Sequence, residues 1–97
     1  MADERDSLFT IRVHNRPGVL AKIAGVFHRR GMNIRTLAVV ESDEPELSDM
    51  TIGVTAPRTA LERIGLSIAN LVDVVTIDLH DRDEHASPPA GRASGRP

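Results

Sequence analysis

The chain has 97 residues with a net charge of −2 and a pI of about 6.0, which suits one small domain. That mild acidity argues against a nucleic-acid footprint, and the lack of cysteine excludes thiolate metal sites, disulfides and thiol nucleophiles. No signal-peptide pattern opens the sequence and no apolar run approaches the ~20 residues of a membrane span, so a cytoplasmic protein with no membrane contact is expected.

Residues 1–7 read as a flexible N-terminus. From Leu8 to His14 the sequence alternates, with Phe9, Ile11 and Val13 facing one way and Thr10, Arg12 and His14 the other, as in a half-buried strand. At Val19 the period changes. Val19, Leu20, Ile23, Val26 and Phe27 share one helical face, with Lys22, Arg29 and Arg30 outside it. Pro17 suits the first helical turn, where a missing N–H costs nothing, and Gly18 is expected in the same turn. Gly31 suits the position just past the helix end, where a left-handed backbone is wanted.

A β-rich stretch follows from Asn33 to Glu41, with Ile34, Ala38 and Val40 on one face and Leu37 and Val39 on the other. Ser42–Ser48 (SDEPELS) reads as an acidic turn. Met50, Ile52 and Val54 then alternate with Asp49, Thr51 and Gly53 in a third strand. Pro57 opens a second helix with the stripe Leu61, Ile64, Ile68 and Leu71, and Val72–His80 closes the pattern as a final strand with Val75, Ile77 and Leu79 in alternation. The order βαββαβ predicts an α+β, ferredoxin-like domain over residues 8–80: a four-stranded antiparallel sheet with both helices on one face. Residues 81–97 (DRDEHASPPAGRASGRP) cannot supply a core and are expected to form a disordered tail.

This architecture carries many unrelated activities, so function must be sought in sites. The stretch HNRPGVLAKIAGVFHRRGMNI brackets the first helix between two polar, glycine-punctuated ends. Unpaired N–H groups at a helix start, backed by the helix dipole, suit a carboxylate or phosphate, and Gly18 lets a ligand approach the backbone. The plainer alternative is that Asn15 caps the helix while Gly18 eases a turn. Asn33 is unusual at a strand start, since Asn is depleted in strands. With strand order 4-1-3-2, strand 2 lies at an edge and carries only Arg35 as protection, which predicts pairing with a second copy across a two-fold axis. Such a homodimer brings one chain's Asn33 toward the other's Asn15–Gly18 loop.

Competing chemistries lack residues. His14, His28, His80 and His85 are scattered and form no metal-ligand set, and no catalytic triad or buried carboxylate pair can be drawn. Stacking aromatics for RNA are missing, since Tyr and Trp are absent. Arg29-Arg30-Gly31 resembles a helix-turn-helix joint, but a strand-like segment follows it. An acyl-phosphate hydrolase would want Arg16 beside a phosphate cradle, from which Pro17 removes a donor.

The segment from Leu8 to Leu79 resembles ACT domains and, among them, the regulatory small subunits of acetolactate synthase. Four pieces in order carry the resemblance: Asn-x-Pro-Gly-Val-Leu, Gly-Val-Phe-x-Arg-Arg-Gly-Met-Asn-Ile, the acidic hairpin before Asp49-Met50-Thr51-Ile52, and Leu71-Val72-Asp73-Val74. The resemblance implies a non-catalytic subunit of a short, single-domain form, dimerising through its sheet. It would bind a branched-chain amino acid, usually valine, at the dimer interface and signal to a separate catalytic large subunit. Thiamine diphosphate, Mg²⁺ and FAD would belong to that partner, with no cofactor or metal in this chain. On the matching positions the ligand would meet Asn15, Gly18 and the partner's Asn33, with Pro17, Val19, Leu20 and Ile34 beside them. Another reading of the same resemblance is an ACT sensor of a different amino acid acting on a different enzyme.

Overall fold

Period-two alternation builds the middle of the sheet and period-3.6 stripes build the layer above it. The computed structural model describes residues 4–81. Its elements are β1 (Glu4–His14), α1 (Val19–Arg29), β2 (Ile34–Glu41), β3 (Leu47–Pro57), α2 (Arg58–Ala69) and β4 (Val74–Asp81). The strands form one antiparallel sheet in the order β2-β3-β1-β4, so the ferredoxin-like arrangement is present with β2 at an edge. Neither helix is long and apolar enough to cross a membrane.

The core is the space between sheet and helices. Phe9, Ile11 and Val13 of β1 and Met50, Ile52, Val54 and Ala56 of β3 meet Val19, Ile23, Val26 and Phe27 of α1 and Leu61, Ile64 and Ile68 of α2. The Phe9 and Phe27 rings touch edge to face, 5.5 Å between centroids at 71°, a geometry aromatic quadrupoles favour. At its end α1 closes in a Schellman motif. The Gly31 N–H donates to the His28 carbonyl at 3.0 Å and the Met32 N–H to the Phe27 carbonyl at 3.0 Å, with Gly31 at φ 73°.

Several boundaries differ from the sequence expectation. β1 begins at Glu4, so residues 4–7 are strand rather than flexible terminus: Glu4, Arg5 and Asp6 pair with Pro57, Ala56 and Thr55. The acidic turn is shorter because β3 starts at Leu47, and Pro57 both ends β3 and stands as the N-cap of α2, whose first helical residue is Arg58. Leu71 lies past the end of α2 yet still packs on the core. Asp81, expected to open the tail, instead ends β4 opposite Ser7, and the rest of the tail expectation, residues 82–97, falls outside the described residues.

Two bulges explain why simple alternation misplaced side chains in both edge strands. In β2, Ile34 opposes Val54 while Thr36 opposes Gly53, leaving Arg35 as an extra residue. The bulge turns Ile34 to the helix side with Leu37 and Val39, and leaves Ala38 and Val40 on the open face. Arg35 Nη1 donates to Asp6 at 3.0 Å and to Thr55 Oγ1 at 3.1 Å, and the Thr55 hydroxyl donates to Asp6, stitching the bulge to β3 and, beyond it, to β1. In β4, Arg12 opposes Thr76 and Val13 opposes Val74, so Val75 is the extra residue. Val74 therefore packs inward, and Val75 is 45% exposed.

Packing density at Phe27 and exposure at Val75 set opposite expectations for truncation. Phe27→Ala should lower unfolding free energy by about 3–5 kcal/mol, a large share of the ~5–15 kcal/mol that stabilises a domain this size. Val75→Ala should stay within about 0.5 kcal/mol. Urea unfolding at one fixed chain concentration checks both values.

Candidate functional site

The exit from β1 is built by a type II β-turn. Pro17 and Gly18 occupy its two central positions, and the Val19 N–H closes it onto the Arg16 carbonyl at 3.2 Å. Gly18 has φ 85° and ψ −9°, the values this turn demands at its third residue and a region where glycine is unstrained. Pro17 and Gly18 thus precede α1 instead of sitting in its first turn: Gly18 is the N-cap and Val19 the first helical residue. The side chain of Asn15 makes no capping hydrogen bond, so the plain capping reading fails. Its backbone N–H donates to the Glu46 carbonyl at 2.7 Å, which ties the loop to the end of the β2–β3 hairpin.

The turn delivers the chain into a helix start with open donors. The Lys22 N–H is the first to close a helical bond, onto the Gly18 carbonyl at 3.0 Å. The N–H groups of Leu20 and Ala21 have no partner among the described residues, and the first turn of α1 holds no acidic side chain. Together with the positive end of the helix dipole they form a cradle for an anionic group. A Cβ placed on Gly18 would meet nothing within 4 Å, so the approach to that backbone is clear. Leu20 lies beside it, 41% exposed, whereas the Val19 side chain is in the core and offers a ligand only its backbone.

Asp73 braces this loop from the β4 side. It is buried in the α2–β4 turn, with its carboxylate 3.7 Å from Arg16 Nε and 3.9 Å from Lys22 Nζ. Its carbonyl accepts the His14 N–H at 2.8 Å. The sequence reading gave Asp73 and Lys22 no role at this loop, and it named the helix-start donors only as a group rather than as Leu20 and Ala21. A signal existed for the first: Asp73 is the lone acid between Glu62 and Asp78. Pro17-Gly18 was likewise a legible type II turn signature.

Asn33 and Ile34 stand apart from the other candidates. Ile34 opposes Val54, and Val54 opposes Ser7, the far end of β1 from His14. Seven residues of strand at ~3.4 Å each separate the two positions by about 24 Å. One chain therefore gathers Asn15, Pro17, Gly18, Val19 and Leu20 at the start of α1 and leaves Asn33 at the opposite end of the sheet. Asn33 is exposed, while Ile34 is partly buried against the core. Among the described residues no cluster of His, Asp and Glu is arranged to hold a metal.

Known proteins share this pattern. A family model described as the AHAS small subunit-like ACT domain matches residues 9–76. The chain belongs to that family. It is 43% identical over 77 residues to an acetolactate synthase small subunit of Mycobacterium bovis, covering 79% of this chain and 45% of that one. A Haemophilus influenzae acetolactate synthase small subunit is 35% identical over 78 residues, with 80% and 48% covered. This ACT-family chain thus spans about half the length of the curated relatives it matches. Among solved structures, the acetolactate synthase small subunit of Thermotoga maritima superposes with a TM-score of 0.71 at 40% identity, over 77% of this chain and 47% of that one. An ACT domain of a Chlorobium tepidum GTP pyrophosphokinase shares the fold at a TM-score of 0.66 and 15% identity.

The left-handed backbone at Gly18 makes the ACT loop intolerant of a Cβ despite the free space. Gly18→Ala should destabilise the domain by about 1–2 kcal/mol, and Gly18→Asn by roughly half of that, because Asn enters this region more readily. Thermal denaturation of the two variants beside the natural chain gives the ranking.

Proposed function

We propose that this chain is a non-catalytic regulatory subunit of an acetolactate synthase, binding valine at the interface of a homodimer and conferring feedback inhibition on a catalytic large subunit. The observation that carries the reading is the open pair of N–H donors at Leu20 and Ala21 behind an unobstructed Gly18. A zwitterion needs such donors for its carboxylate and needs oxygen acceptors for its ammonium group. The Asn15 amide lies at the same loop, and the partner's Asn33 supplies a second amide in the composite site. Leu20 offers apolar surface to an aliphatic side chain. Thiamine diphosphate, Mg²⁺ and FAD belong to the catalytic subunit in this reading, and this chain takes no chemical step.

The dimer follows from the edge of the sheet. Leu37 and Val39 share the helix-side face by register yet are 49% and 40% exposed, and Val40 is 60% exposed on the other face. The helix layer leaves them uncovered, while among the described residues no strand lies beside the outer backbone groups of β2. A second β2 satisfies both needs. At ~0.7 kcal/mol per non-hydrogen atom, a ligand of valine's size gains about −5.6 kcal/mol, a Kd on the order of 0.1 mM, which serves feedback at metabolite concentrations.

Titrating valine against the enzyme reconstituted with its large subunit tests this. Gly18→Asp sets a carboxylate where the ligand's carboxylate belongs, and Asp tolerates the left-handed region better than most residues. The variant should assemble with the large subunit and resist inhibition at valine concentrations that inhibit the natural enzyme. Asn15→Ala should weaken inhibition roughly fivefold, the loss of about 1 kcal/mol of hydrogen bonding. Unchanged inhibition in an assembled Gly18→Asp enzyme would place the ligand elsewhere. Inhibition of the natural enzyme by a different amino acid alone would assign the site to that ligand.

A further inference from the structure

The hairpin joining β2 to β3 is crowded with acids. Glu41, Asp43, Glu44 and Glu46 are all exposed, and none forms an ion pair among the described residues. The hairpin holds them in a defined turn. The Ser42 N–H donates to the Leu47 carbonyl at 3.1 Å, the Leu47 N–H to the Glu44 carbonyl at 3.0 Å, and the Glu44 N–H to Ser42 Oγ at 3.0 Å. Their field reaches the sheet: after the larger effects of the Asp49 hydrogen bond and charge, Glu44 and Asp43 also raise the Arg12 pKa.

The opposite charge waits at the other end of β2. Arg29 and Arg30 close α1, both exposed, and neither meets a carboxylate among the described residues. Arg30 Nη2 donates instead to Ser67 Oγ at 2.8 Å. Within one chain these groups cannot answer the hairpin. From Ile34 to Glu41 the strand covers about 23 Å, more than two Debye lengths at physiological salt.

A second copy removes that distance. When two β2 strands pair antiparallel across a two-fold axis, the partner's α1–β2 turn comes to lie beside this chain's β2–β3 hairpin, and the reverse holds at the other end. Building on the homodimer proposed above, we infer that Arg29 and Arg30 of each chain face Glu41, Asp43 and Glu44 of the other and set the register of the β2 pairing. A strand with apolar residues on both faces specifies register poorly by itself, because a slip leaves an equally apolar contact. Charge supplies the missing discrimination: a slipped pairing draws each hairpin away from the opposite charges of the partner's turn, and a parallel pairing sets hairpin near hairpin and turn near turn, where like charges repel. The same register carries the partner's Asn33 to the end of the sheet that holds Asn15 and Gly18, so the lock also completes the ligand site.

Sedimentation of the full chain across a salt series, with two charge-reversed variants, tests the lock. The reversed hairpin is Asp43→Lys with Glu44→Lys, and the reversed turn is Arg29→Glu with Arg30→Glu; circular dichroism checks that each folds. Each variant alone should dimerise at least about tenfold more weakly than the natural chain at low salt. The natural dimer should itself weaken as salt rises. Mixing the two variants should restore dimerisation as a heterodimer, visible by native mass spectrometry, because both ends then pair opposite charges. That rescue cannot come from a folding defect in either variant. A natural chain that stays monomeric at every salt concentration overturns the lock together with the homodimer. A natural dimer indifferent to salt and to both reversals, or weakened variants that mixing does not rescue, overturns the lock and leaves the β2 dimer standing.

Discussion

The unbroken antiparallel pairing of β1 with β3, from Glu4 opposite Pro57 to His14 opposite Leu47, fixes where everything else can lie. Both strands are long and central, and both bury one full face, so a slip of one residue would turn Phe9, Ile11, Met50 and Ile52 out of the core. Once that register is set, the two crossovers have little freedom. The start of α1, the β2–β3 hairpin and the α2–β4 turn must gather at the His14 end, and the start of β2 must lie at the Ser7 end. The hydrogen bonds from His14 N–H to Asp73 and from Asn15 N–H to Glu46 record that gathering.

Burial then divides the strands into two classes. β1 and β3 belong to the core, whereas among the described residues β2 has one strand neighbour and only its Ile34 packs against the core. A small domain buries a modest share of its surface, and here the deficit is concentrated along one edge. In the proposed dimer that deficit is where the second copy docks. Apolar side chains on β2 would supply the attraction, while the bulge at Arg35, pinned by Asp6 and Thr55, fixes the shape of the strand that a partner would meet.

The candidate ligand site depends on backbone more than on side chains. A type II turn presents two N–H groups that the helix cannot use, and glycine keeps the space before them empty. Such a site is cheap in conformational terms, since it orders no long side chain when the ligand arrives. Asp73, Arg16 and Lys22 hold the loop from behind with exposed partners around a buried acid, which stiffens the turn without occupying the cradle.

Much of this was legible in the sequence, for identifiable reasons. The alternation in β1 and β3 and the stripes of α1 and α2 are repeated local patterns tied to burial, so element order and the ferredoxin-like topology followed directly. Gly31 announced the end of α1 because few other residues enter a left-handed backbone easily. What the sequence could not carry was anything set by a partner strand. The bulges at Arg35 and Val75 exist only relative to β3 and β1, and each reverses the facing of its neighbours, so Ile34 and Val74 turned inward against the simple pattern. The extension of β1 to Glu4 likewise depends on the β3 ladder that receives it. At the candidate site, the motif Asn-Arg-Pro-Gly pointed to the loop that leads into the open helix start, but only the tertiary structure decided that Asn15 does not cap, that Gly18 is left-handed, and that Asp73 stands behind it. It also decided that Asn33 lies a sheet's length away, because strand order and direction, which no local pattern encodes, determine which loops meet.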